Sequence, residues 1–182
     1  VDDEQSCVVV DMTAGADAFA SGLFTRFDLT VLVVESTLRS LGVYDQYRSY
    51  ARDHDVTIRV MANKLDDAED RDFVCERVGE DLIDGLSRSS FIKAMEKGRV
   101  LPLQDLEAAN RAALEALLLT VGRQRKDWGR YHRDAVHFHR RNAASWANEA
   151  IGSDLTHQID PEFSMSEAAE AVLGNQTLGE AA

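Results

Sequence analysis

The sequence predicts an α/β fold built on a mostly parallel sheet, followed by a C-terminal helical extension. Three observations carry that expectation. Short β-branched runs recur without polar alternation, the pattern of strands buried on both faces. Stretches of helical periodicity separate them, giving the strand–helix–strand rhythm of parallel sheets with right-handed crossovers. Past Gly122 the apolar runs stop, and charge segregates into a basic block followed by an acidic one. Residues 1–122 are therefore expected to form the α/β domain and residues 123–182 the extension.

The first expected strand is SCVVVD at 6–11, the second LTVLVVE at 29–35 and the third TIRVMAN at 57–63. Between the last two, residues 39–53 have helical spacing, with Leu41, Tyr44, Tyr47 and Tyr50-Ala51 on one face. A helix over 67–80 carries Phe73, Val74 and Val78, and a short strand over 81–86 follows. A further helix starts near Ser89 and stops at Gly98, and a longer one spans about 104–121 and ends at Gly122. Ser164 and Glu167 have the spacing of a capping box and predict a late helix.

Composition narrows the function classes. A chain of 182 residues, 45% apolar, can bury a sizeable core. The excess of 32 acidic over 20 basic residues opposes non-specific binding to nucleic acid or to an anionic membrane. No apolar run reaches the length of a membrane span. Two cysteines, Cys7 and Cys75, do not make a disulfide framework, which suits a reducing, cytoplasmic compartment. The chain begins at Val1 with a strand close behind, as an edge strand opening a domain would, or as a fragment of a longer protein would.

Ligand sites in parallel sheets gather at the carboxyl ends of the strands. Three strand ends here are polar: Asp11, Glu35-Ser36 and Asn63-Lys64, with Asp66 close behind the last. A carboxylate at Asp11 can orient a magnesium-bound water, and Gly15 can offer its N–H to a phosphate because no Cβ blocks the approach. The alternative is an aspartate that ends a strand and caps the next turn. The Asn63 amide, donor and acceptor at once, can read the edge of a purine, while the Lys64 stem covers a flat ring. Its alternative is a polar strand-to-loop turn.

VVVDMTAGADAFASGLFTRFDLTVLVVESTLRSL together with IRVMANKLDD resembles the MinD/ParA-type P-loop ATPases, nearest to the CooC-like branch associated with maturation of nickel enzymes such as carbon monoxide dehydrogenase. The resemblance covers about residues 5–100. It implies a P-loop NTPase-type sheet, ATP and Mg2+ as ligands, and a nucleotide-dependent homodimer acting on a protein partner. Asp11 matches the Walker B aspartate and would be the magnesium residue; Ala14-Gly15 match switch II, with Gly15 sensing the γ-phosphate. Glu35-Ser36 and Ser40 fall where the family carries Pro-Ser-x-x-Ser, and Asn63, with Lys64, matches the adenine-contacting segment. Ser87 stands where the family often has proline. G-x-x-x-x-G-K-[ST] does not occur in these residues, nor does the C-x-C of the nickel-handling branch. The expectation is a fragment of an ATP-hydrolysing switch whose P-loop lies upstream, inactive by itself. The alternative is a non-catalytic partner-binding protein on a degenerate ATPase scaffold.

Other signals point to structure. His132, His137 and His139 lack convergent ligands and are expected on a half-buried helical surface with Trp128, Tyr131 and Phe138. RQRKDWGRYHRDAVHFHRR holds seven Lys/Arg against two Asp, and the stretch from Asn142 onward has seven acidic residues and no Lys or Arg. Nucleic-acid contact by the basic run is disfavoured against a solvated or self-paired helix.

Overall fold

A computed structural model of the chain describes residues 7–12, 22–164, 167, 168, 170 and 171. They fall into two compact units, one from the described residues within 1–11 and 29–124, the other from those within 12–28 and 125–182.

The first unit holds the sheet. Strands β1 (Thr30–Val34), β2 (Ile58–Leu65) and β3 (Leu82–Ser87) are parallel in the order β1-β2-β3. Parallel neighbours need a crossover, and α1 (Leu38–Asp53) and α2 (Ala68–Val78) supply it. Side chains start both helices: Thr37 Oγ1 accepts from the Ser40 N–H, and Asp67 Oδ1 from the Asp70 N–H. The parallel α/β expectation is borne out. The central strand explains the apolar runs, because Ile58, Val60, Met61, Ala62 and Leu65 are all buried on β2.

Val34, Val60, Ala62 and Leu65 of the sheet meet Leu41 and Tyr44 of α1 and Val74 and Val78 of α2 in one core. Each Val or Leu side chain of this core contributes about 1.5–3 kcal/mol on burial. Tyr44 is fully buried, and its hydroxyl donates to Asp81 Oδ2 at 2.7 Å, so the phenol is both packed and satisfied. Burial, then the bond to Asp81, pushes its pKa up to about 12. Tyr50, expected on one face with Leu41, Tyr44 and Tyr47, is 47% exposed, and Phe73 of α2 is 37% exposed.

Beyond β3, α3 (Ser90–Glu96) and α4 (Ala108–Gly122) complete this unit. The α4 helix begins later than its periodicity suggests, because Pro102 leads into a 3-10 turn at Leu103–Asp105. Glu107 then ties the two helices together. Its carboxylate accepts from the Ser89 and Ser90 hydroxyls and from the Ser90 and Phe91 N–H groups, at 2.7–3.3 Å. Those bonds, the Ser89 hydroxyl foremost, pull the Glu107 pKa down to about 2.

The expected first strand is a correction. Residues 7–11 form no strand, and Val8 and Val9 are 85% and 87% exposed. A β-branched run becomes a strand only when a neighbour offers a ladder for its N–H and C=O groups. No described strand pairs with this one.

In the second unit, α5 (Trp128–Asn142) runs through a π turn at Ala143–Ala147 into α6 (Asn148–Ile151). A 3-10 turn at Leu23–Arg26 packs on α5, with the Phe24 and Phe138 rings edge to face at 6.3 Å. The basic run is partly turned inward. Buried Arg130 donates to the Phe27 carbonyl at 3.0 Å, and Lys126 to the Arg26 carbonyl at 2.8 Å while pairing with Asp28 at 3.2 Å. His132 and His139 bond the Asp160 and Leu155 carbonyls at 2.8 and 2.6 Å, which straps the following segment to the helix. Near the late capping box, the Glu167 N–H donates to Ser164 Oγ at 3.3 Å.

Candidate functional site at the carboxyl edge of the sheet

The β1-β2-β3 order places the ends of all three strands along one edge. On β2 the ladder to β3 shifts register between Ala62 and Leu65, so Asn63 and Lys64 sit on an irregularity at the strand's end. Lys64 has φ +58, a left-handed conformation that costs a β-carbon-bearing residue about 1–2 kcal/mol. Bulges and strained residues of this kind re-aim side chains near functional sites.

Local bonds hold the strained residue. Asn63 Oδ1 accepts from the Lys64 N–H at 3.0 Å. Lys64 Nζ reaches Glu35 Oε1, at the end of β1, at 2.6 Å. That bond holds the Glu35 carboxyl below its usual range. The two polar strand ends singled out in the sequence are thereby joined.

A second set of contacts ties the loops together. The Ser36 hydroxyl donates to Asp70 Oδ1 at 2.6 Å, and the Asp66 N–H donates to Asp70 Oδ2 at 2.8 Å. The Ser36 bond, then the Asp66 N–H, lowers the Asp70 pKa. Arg88, just past β3, donates from Nε to Asp66 Oδ1 at 2.7 Å, and this raises the Arg88 pKa. Ser40 contributes as well: its hydroxyl accepts from the Glu35 N–H at 3.0 Å and closes the turn after β1. Loops after all three strands are thus coupled by charged side chains.

Beside this network lies an open cleft of about 370 Å³, lined by Leu65, Asp66, Gly85, Ser87, Ala109 and Ala112 among others. The Arg71–Asp84 ion pair, at 2.8 Å, stands at its wall. Asn110 fixes the far side. It is 2% exposed, its Oδ1 accepts from the Ser87 N–H at 2.8 Å, and its Nδ2 donates to the Ser87 carbonyl at 3.3 Å.

Glu35, Ser36, Asn63 and Lys64 are therefore neighbours, as their positions at strand ends suggested. Asp11 is exposed, stands on no strand, and no hydrogen bond or ion pair among the described residues joins it to this edge. Gly15 lies outside the described residues. Asp70, Arg88 and Asn110 were missed by sequence reasoning. Asn110 alone left a signal, as a polar residue on the buried face of α4, which it shares with Ala113.

The chain resembles an enzyme accessory protein. It is 36% identical over 124 residues to the carbon monoxide dehydrogenase accessory protein CooC of Rhodospirillum rubrum. The match takes in 65% of this chain and 47% of that protein, so the chain spans about half the length of its curated relative. No protein-family profile matches the chain, and no solved structure matches it. Among the described residues no helix is long and apolar enough to cross a membrane. Cys7 and Cys75 are both exposed and free.

Proposed function

We propose that this chain is the base-binding part of a nucleotide-dependent accessory protein of the MinD/ParA type, a cytoplasmic switch that hydrolyses its nucleotide as a homodimer and acts on a protein partner. The observation that carries the reading is the strained Asn63-Lys64 pair at the carboxyl edge, held by Glu35 in a chain similar to CooC. The donor set fits a purine nucleotide, which in the resembled family is ATP. The Asn63 amide can bond the edge of a base, and the adjoining cleft has apolar walls at Leu65, Ala109 and Ala112 to receive a flat ring. Asp11, an exposed carboxylate, fits the oxygen chemistry of Mg2+, and Gly15 would sense the γ-phosphate. Magnesium would supply charge neutralisation at the phosphates. The chain's own residues orient the base and couple the three strand-end loops to its presence.

Equilibrium binding tests this directly. Asn63→Ala is expected to weaken nucleotide binding by about tenfold, the loss of one specific hydrogen-bonding group, and to leave capture of the partner in the absence of nucleotide unchanged. A second reading, a non-catalytic scaffold that binds a partner, draws on one observation: Asp11 stands off the sheet. Partner capture that ignores both nucleotide and Asn63→Ala would favour it.

A further inference from the structure

Two exposed helix faces, one in each unit, carry opposite charges at mirrored spacing. On α2, Glu69, Asp72 and Glu76 stand at i, i+3 and i+7, which is one face of a helix, and all three are exposed. No ion pair or hydrogen bond among the described residues engages their side chains. The arginines of α2 do not neutralise them, because Arg71 is drawn to Asp84 and Arg77 to Asp45. Phe73 stands on the same side of the helix and is 37% exposed.

On α5, Arg133, His137 and Arg140 stand at i, i+4 and i+7, again exposed along one face. Arg130 and Lys126 donate to the Phe27 and Arg26 carbonyls, but the Arg133 and Arg140 guanidinium groups have no hydrogen-bond or ion-pair partner among the described residues. The segment after α6 supplies none. His132 and His139 hold it through the Asp160 and Leu155 carbonyls. Its carboxylates turn back on their own loops: Asp154 Oδ1 accepts from the Thr156 N–H and Asp160 Oδ1 from the Glu162 N–H, both at 2.9 Å.

Opposed antiparallel, the two faces match. Read from its carboxyl end, α5 places these residues at steps of three and then four, the steps of α2 read from its amino end. Glu69 then meets Arg140, Asp72 meets His137 and Glu76 meets Arg133, with the outer residues about 10 Å apart along either helix. The arginine stems can cover the Phe73 ring. A net charge of -12 makes copies of this chain repel wherever acidic surface faces acidic surface, so a copy approaching by its α2 face finds its complement on α5. We propose that α5 of one copy docks antiparallel on α2 of another. The contact needs no nucleotide and stands apart from the nucleotide reading.

Sedimentation equilibrium of the full chain without nucleotide tests this. At low ionic strength the wild type is expected to self-associate reversibly, and added salt to dissociate it, because exposed charge pairs are screened. Association through a face without such pairs would respond the other way, since salt relieves the mutual repulsion of acidic chains. Arg133→Glu with Arg140→Glu, and Glu69→Arg with Glu76→Arg, each set like charges opposite one another and are expected to weaken self-association by about tenfold or more. Mixing the two variants restores opposite charges at the contact, so they should associate with each other at near wild-type affinity. That recovery also shows that both variants fold. A wild type that stays monomeric at submillimolar concentration, or a mixture that associates no better than its components, would overturn the proposal. So would a monomeric wild type whose affinity for a DNA duplex falls with the arginine reversal, which would assign the basic face to nucleic acid.

Discussion

Lys64 Nζ lies 2.6 Å from Glu35 Oε1, and the backbone that brings it there has φ +58. The ion pair joins the ends of two adjacent strands and holds a residue in a conformation it does not favour by itself. Stability and ligand binding are therefore set against each other at this position.

Lys64→Gly separates the two. Glycine removes the left-handed penalty and is expected to stabilise the chain by up to about 1 kcal/mol. It also removes the stem that would cover a base, so nucleotide affinity should fall. Denaturant melts and nucleotide titrations on the same protein check the opposed signs.

Glu107 gives a pH signature. Its folded pKa, about 2, lies below its ordinary value of 4.5 because serine hydroxyls and N–H groups of α3 bond the carboxylate. A depressed carboxylate contributes stability that is fully present above its unfolded pKa and is lost as pH falls through the folded one. Glu107→Gln should therefore melt lower than wild type at pH 7, and the gap should narrow as pH is lowered from about 5 towards 2. Thermal melts across that window measure it.

Tyr44→Phe keeps the ring in the core and removes only its hydroxyl, which bonds Asp81. The expected cost is about 1–2 kcal/mol, because Asp81 retains Arg59 at 3.0 Å. A chemical denaturation curve with an unchanged slope would show that stability alone has moved.

In the second unit, Gly22 has φ +69, and a β-carbon there would stand 2.4 Å from the Phe138 ring. Gly22→Ala combines left-handed strain with a clash against a buried ring. It should destabilise this unit by about 2 kcal/mol or more. Hydrogen exchange at α5 amides is the readout, with the sheet amides as the internal reference.

Much of the fold was legible in the sequence because β2 is buried on both faces, and a run such as TIRVMAN has few other uses. Both β1 and β3 fall where their apolar runs and polar ends put them. The run CVVVD carried the same local signal and formed no strand, since pairing depends on a neighbour that periodicity does not show. At the candidate site, Asn63-Lys64 stood out as polar residues ending an apolar run. The bonds that hold the edge were hidden. Ser36–Asp70 and Arg88–Asp66 join residues 34 and 22 positions apart, and each charge alone looks like a solvated surface residue.

The central claim is that the carboxyl edge of this sheet is the nucleotide's seat. The most direct measurement is the amide NMR spectrum of the isotopically labelled chain, recorded with and without Mg-nucleotide. The account predicts saturable shifts at Asn63, Lys64, Asp66, Ser87 and Arg88, with the amino-end residues Arg59 and Asp81 unmoved. Saturable shifts confined to residues elsewhere, or a spectrum indifferent to millimolar nucleotide, would contradict it.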